Sequence, residues 1–291
     1  VNVVVVPMGC RAELFPALQS GLVDGADTRV EAQAVDNLGT GRIFGDRLAI
    51  AAADLSNREE TRQGQTRAAT LAGRERVDLG MQRLSNREGA LVFSGGDLAI
   101  GGALDASGRA TGSAQAVDNS SASIEAAQDL RIAAATIRNT NAHFATEIRQ
   151  VSQGPFTQFQ HLPGDTTSAG DNSTRFAPDQ VRIFDCEALC MQTDAGTSDA
   201  FVRYDVQRSV SESVVTRSAP ARILAGGSIR VAADALLNDK SQIVAGGALE
   251  ATGTRVDNVE GQGLRITEDA GTATAYSRRR RNGRDSFNTD S

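Results

Sequence analysis

Residues 218–258 read SAPARILAGGSIRVAADALLNDKSQIVAGGALEATGTRVDN, and the spacing of their apolar residues decides the fold. With Ile223 as position zero, Ile223, Ala225, Ile229, Val231, Leu236 and Asn238 fall at offsets 0, 2, 6, 8, 13 and 15. Ile243, Ala245, Leu249, Ala251, Val256 and Asn258 repeat those offsets 20 residues later. Further out, the same template fits Ile124, Ala126, Leu130, Ile132, Ile137 and Asn139, and again Leu71, Gly73, Val77, Leu79, Leu84 and Asn86. Weaker copies follow: Leu22, Val30, Val35 and Asn37; Leu48, Ile50, Leu55 and Asn57; and Val92, Ser94, Leu98 and Ile100.

Pairs at offsets 0 and 2, and at 6 and 8, have the period of a strand that points alternate residues inward. Gly95-Gly96, Gly226-Gly227 and Gly246-Gly247 supply turns between them. A third short strand carries the apolar residue at offset 13 and ends on Asn. Three strands per 20 residues describe one coil of a right-handed parallel β-helix, an all-β solenoid in which each coil pairs with its neighbours. Offsets of 3, 4 and 7, which a helical solenoid needs, do not recur. Outside the interruptions this predicts about ten coils, a stack of about 50 Å at the usual strand spacing.

Asn37, Asn57, Asn86, Asn119, Asn139, Asn238 and Asn258 share the last slot. Their amides either form a hydrogen-bonded ladder along the axis or act as turn residues that tolerate a left-handed backbone. The fold is the same in both cases.

The composition suits many thin layers. Hydrophobic residues make up 40% of the 291, aromatics only 4%, and there is no Trp. The formal charge of -6 gives no drive toward nucleic acid. No run of 18 apolar residues is present, so no membrane-spanning helix is expected. The opening VNVVVV, without Met or a basic stretch, reads as an internal cut rather than a signal peptide.

Interruptions of a solenoid repeat become loops. Residues 58–67 are almost wholly polar, and Gly, Ser, Thr and Ala dominate 101–116; both read as short surface excursions. The large break covers 145–220. Expected organisation is therefore β-helix coils over 1–144, a projecting insertion over 145–220, further coils over 221–270 and a basic polar loop or tail over 271–291. Alternating runs at 144–151 and 201–210 suggest an antiparallel ribbon. Residues 164–173 look like its loop tip, and Val181, Ile183, Phe184 and Leu189 like a small satellite core.

This insertion holds half of the 10 Phe. Phe156, Phe159, His161, Phe176, Phe184, Phe201 and Tyr204 are the candidate binding residues, since rigid aromatics dominate interaction hot spots; equally, the rings can form the insertion's own core. For Cys186 and Cys190 a disulfide, two free thiols and a metal or redox use all remain open. Cys10 is the third cysteine. The basic run Arg278-Arg279-Arg280-Arg281-Asn282-Gly283-Arg284 reads as a solvated loop or a polyanion contact.

No hydrolase, metalloprotease, phosphate-loop, dinucleotide or calcium-repeat motif is present. Lys240 is the only lysine, and His143 and His161 the only histidines. His143, next to Phe144, reads as a structural hydrogen-bonding residue. We expect no catalytic residues, no metal and no cofactor. The remote alternative is a polysaccharide-acting β-helix enzyme, which requires acids such as Asp97, Asp129 and Asp234 to converge on one face.

The wording of the repeat is itself informative. GGDLAI from Gly95, VDNSSASIEAAQDLRIAAATIRNTNAHF from Val117 to Phe144, and residues 218–258 resemble the filamentous-haemagglutinin repeats of two-partner-secretion exoproteins. Within that group they are most similar to contact-dependent growth-inhibition exoproteins. The resemblance implies a surface filament of Gram-negative bacteria, exported through a partner outer-membrane transporter. It implies recognition of an outer-membrane receptor or surface glycan on a target cell, with a toxin at the far C-terminus. The other reading is a host-cell adhesin without a toxin.

Overall fold

The computed structural model describes residues 2–5, 21–62, 64–162, 173–186, 189–281 and 284–290. Cys10, the tip residues 164–172, Asn282 and Gly283 lie outside the described residues. The chain divides into two compact units, one formed by 1–145 and 215–262, the other by 146–214 and 263–291.

The first unit is a parallel β-helix. Its coils open at residues 22, 42, 70, 91, 123, 222 and 242, and every strand of one coil pairs parallel with the equivalent strand of the next. Residues at one repeat offset therefore stack in columns. One column runs Val30, Ile50, Leu79, Ile100, Ile132, Val231, Ala251. Another runs Val35, Leu55, Leu84, Val117, Ile137, Leu236, Val256. Leu71, Val77, Leu79, Ile100, Ile124 and Ile132 are all 0–1% exposed, so the apolar offsets form one continuous core. Each such side chain contributes about 2 kcal/mol by leaving water, which explains why the period is kept across long insertions.

Those insertions interrupt coils without breaking the columns. Glu59–Arg62 pairs antiparallel with Gln65–Ala68 as a hairpin. A second hairpin, Ala103–Leu104 with Ala110–Thr111, separates Ile100 from Val117. Between the coils that open at 123 and 222 the chain makes its long excursion, yet Ile124 still stands in register with Ile223.

The turn from the first to the second strand explains the paired glycines. A Cβ on Gly226 would lie 2.3 Å from the carbonyl oxygen of Ala127 in the coil below, and one on Gly246 equally close to that of Gly226. Backbone leaves no room there. Gly226→Ala is expected to lower stability by about 2 kcal/mol, measurable as a shift in the urea unfolding midpoint. Two residues beyond the ladder Asn the backbone turns left-handed, at Gly39, Glu88, Ser121 and Lys240.

Several expectations are corrected. Seven coils and one strand of an eighth, Asn2–Val5, which pairs parallel with Thr28–Glu31, are found among the described residues rather than about ten, which gives a stack of roughly 35 Å. Coils end at Val259 rather than at 270. Residues 265–281 are one long strand, not the last coil followed by a basic tail. The reason is long-range pairing: Arg265–Ser277 runs antiparallel to Ala200–Glu212 in the second unit. The basic run falls partly in this strand, which pairs with Arg284–Asp290. In the first coil Val23, not Leu22, stands in register with Ile43; Leu22 is 61% exposed. Its first turn is one residue shorter than the template.

The second unit has a five-stranded sheet in the order Arg175–Phe176, Ala145–His161, Ala200–Arg217, Arg265–Arg281, Arg284–Asp290. A three-stranded antiparallel meander follows from Arg182–Asp185, Leu189–Thr193 and Gly196–Ser198. Phe159, Met191 and Phe201 form its core, with Val181, Leu189 and Tyr276 packed against them. Of the anticipated satellite cluster, Ile183 is 38% exposed and Phe184 is half-buried beside the Arg182 guanidinium. Alternation within the Arg182–Asp185 strand turns part of that cluster outward.

Candidate functional site

Alternation along the strands of the second unit sorts the aromatic residues onto two faces. Phe159, His161 and Phe201 are 8%, 2% and 1% exposed. Phe201 stacks on Tyr276 at 4.8 Å between ring centroids, and the two residues are cross-strand partners. His161 meets the Phe176 ring edge-on at 5.6 Å, and its Nε2 lies 3.2 Å from Thr193 Oγ1. Phe159, His161 and Phe201 are packing residues in geometry, since burial takes nearly all of their surface away from a partner; Phe176, cross-strand partner of Phe159, lies on the same face and is half-buried.

Phe156 and Tyr204 occupy even-numbered positions and share the opposite face with Gln158, Gln160 and Arg208. Arg208 lies 3.6 Å above the Phe156 ring and makes two 2.7 Å hydrogen bonds to the Asp269 carboxylate. Its Nη2 also reaches Gln158 Oε1 at 3.4 Å. Arg175 lies 4.1 Å above the Tyr204 ring, whose hydroxyl donates to Gln160 Oε1 at 2.8 Å. The hydrogen bond from Arg208 holds Asp269 below the usual carboxylate range, and Asp269 in turn raises the Arg208 pKa. Guanidinium over an aromatic face is worth about 0.5–2 kcal/mol. The result is a surface of Arg and half-buried aromatic groups fixed in place, which is the composition of an interaction hot spot.

The sequence pattern missed Arg175, Arg208 and Asp269. The alternation Tyr204, Val206, Arg208 signals the first part. Nothing local signals Asp269, because it reaches Arg208 only through pairing 61 residues away. Phe184 stands apart, on the meander. Cys186 and Cys190 are joined as a disulfide with Cα atoms 5.9 Å apart, closing the turn between two paired strands. Glu187 and Ala188 inside that turn are outside the described residues.

In the first unit the candidate Asn residues stack without a gap. Asn37, Asn57, Asn86, Asn119, Asn139 and Asn238 each donate Nδ2–H to Oδ1 of the next, ending on Asn258, at 2.7–2.9 Å. Their second amide proton goes to main-chain carbonyls such as Thr70, Leu91 and Ser123. Asn57, Asn86, Asn119 and Asn139 are fully buried, with donors and acceptor engaged.

His143 Nε2 contacts the Glu88 carboxylate, at the left-handed turn of an earlier coil. Among the acids, Asp97 and Asp129 adjoin on successive coils, where Asp97 Oδ1 accepts from Asp129 N–H at 3.2 Å. Asp234 lies elsewhere, where the ladder between the second and third strands is interrupted. The three do not converge. Among the described residues no group of three or more His, Cys, Asp or Glu is placed to hold a metal ion.

A stack of repeat coils with a continuous core and an internal Asn ladder defines a parallel β-helical solenoid. The haemagglutinin repeat family model matches residues 45–172 and 207–272, about two thirds of the chain, and the chain belongs to that family. Proteins of this family are secreted, adhesin-like surface filaments, and the family is not an enzymatic one. No curated protein and no solved structure gives a significant match. Among the described residues no helix is long and apolar enough to cross a membrane.

Proposed function

We propose that the chain is a segment of a bacterial surface filament that recognises a target cell through its second unit and presents a distant C-terminal toxin, as in contact-dependent growth inhibition. A partner outer-membrane transporter exports it, and its ligand is an outer-membrane receptor or surface glycan. The observation that carries the recognition role is the surface of Phe156, Tyr204, Arg175 and Arg208: half-buried aromatics overlaid by guanidinium groups in an otherwise aromatic-poor chain. The Asn ladder and apolar columns favour a scaffold role for the first unit, since they commit its interior to packing. The resemblance of residues 117–144 and 218–258 to growth-inhibition exoproteins supports the toxin-presenting reading over a host adhesin.

Excision of the second unit tests this. Thr216 Oγ1 donates to the Ala145 carbonyl at 3.2 Å, so Ala145 can be joined to Val215 across a short gap. The chain must also end at Gln262, because 263–281 loses its pairing partner. The expected product keeps the parallel β-sheet signal by circular dichroism and no longer captures outer-membrane protein or glycan from target cells. Undiminished capture by the excised protein overturns the assignment. Growth inhibition by the parent filament, with and without this segment, separates toxin presentation from adhesion alone.

A further inference from the structure

The second strand of each coil in the first unit turns every other residue outward, and these residues also stack in columns. One column runs Asp78, Ala99, Arg131, Arg230, Glu250; beside it Arg76 stands in register with Asp97. Ala99 is short between long neighbours, which opens a cleft of about 140 Å³ lined by Arg76, Asp97, Ala99, Asp129, Arg131 and Arg230. That volume suits a small, single-ring ligand.

The charges in this cleft are incompletely matched. Arg76 is committed to Asp78, with hydrogen bonds of 2.6 and 3.1 Å. Arg230 pairs with Glu250 at 3.2 Å. Arg131 faces Arg230 across adjacent strands, an arrangement that repels. Among the described residues Arg131 has no carboxylate within salt-bridge distance, and its guanidinium donates only to the Ala110 carbonyl at 2.8 Å. That carbonyl belongs to the hairpin 103–111, anchored by Asp78 accepting from Ala110 N–H at 2.9 Å. Arg131 is thus held in position with most of its donors unused.

Two carboxylates stand on the other side. Asp97 and Asp129 each engage Oδ1 with a main-chain N–H, of Asp129 and Ser228 respectively, at 3.2 and 2.7 Å. Asp97 Oδ2 lies 3.6 Å from Arg76, and Asp129 Oδ2 has no partner among the described residues. No aromatic ring lines the cleft.

We propose that this cleft binds a sugar acid, a single ring carrying one carboxylate and several hydroxyls. A planar carboxylate matches the guanidinium fork of Arg131 and relieves its repulsion with Arg230. Hydroxyl groups on the same ring donate to the open Asp129 Oδ2 and to Asp97 Oδ2, whose second lone pair is free beside its long contact with Arg76. A simple anion leaves those oxygens facing negative charge, and a neutral sugar leaves Arg131 unmatched. The site is separate from the surface of the second unit and independent of the role proposed for it.

Titration of the full chain with D-glucuronate, D-glucose and sodium acetate, followed by ligand-observed NMR, tests the proposal. Saturable glucuronate binding is expected, with glucose and acetate at least about tenfold weaker. Ala99→Leu, which fills the floor, and Arg131→Gln should each weaken glucuronate by about tenfold or more. Both are to be checked for an unchanged unfolding midpoint; if Ala99→Leu disturbs folding, Arg131→Gln decides, since its side chain lies outside the core. Absence of saturable glucuronate binding, equal binding of acetate or glucose, or undiminished binding by Arg131→Gln overturns it.

Discussion

Asn119→Ala is expected to destabilise the first unit by about 3 kcal/mol. Asn119 is fully buried and links Asn86 to Asn139 in the ladder. Its Nδ2 also lies within hydrogen-bonding distance of the carbonyls of Ala122 and Arg222, both at 3.0 Å. Alanine removes the acceptor for Asn86 and the donor to Asn139 together, and both of those partners are themselves fully buried. Each orphaned buried group costs about 1–3 kcal/mol. Asn258→Ala supplies the control. Asn258 ends the ladder at an exposed position and accepts one bond from Asn238, so its loss should cost less than about 1 kcal/mol. Urea unfolding of both variants checks the contrast. Equal midpoints for the two would mean that the ladder contributes no more in the interior than at its end.

Phe201→Ala should cost about 3–5 kcal/mol, the usual range for a large aromatic removed from a core. Phe201 is 1% exposed, stacks on Tyr276 and shares its core with Phe159 and Met191. The loss should be confined to the second unit, because the first has a separate core. Segment-resolved hydrogen exchange then shows faster opening across 146–214 and 263–281, with the coils unchanged. Phe156→Ala makes the complementary case. Phe156 is half-buried under Arg208, and its removal should change stability by about 1 kcal/mol while abolishing target-cell capture. A drop in capture without faster exchange assigns the effect to the surface itself.

The same seven aromatic and histidine residues illustrate how far the sequence could be read. It marked Phe156, Phe159, His161, Phe176, Phe184, Phe201 and Tyr204 as one group, because composition shows only that they are concentrated. The strand pairing divides six of them into a packed face and a face bearing arginines, and sets Phe184 apart on the meander. Binding and core packing are both properties of aromatic surface, so residue type alone does not separate them.

The 20-residue period was set by the sequence alone, to the residue in every copy except the one that opens at residue 22, where Val23 takes the place expected of Leu22. Offsets 0, 2, 6, 8, 13 and 15 state which side chains turn inward, and stacking of identical coils converts that local pattern into the register Ile124 with Ile223 and Asn139 with Asn238 across 99 residues. A repeat is its own template, so each coil specifies its neighbour without reference to distant segments. Three things were decided only by the tertiary structure: the end of the coils at Val259, the pairing of 265–281 with 200–217, and the cleft that brings Arg76, Arg131 and Arg230 together. Those depend on outward-facing or non-repeating residues. For them no apolar period exists, and position follows from which strands meet in space.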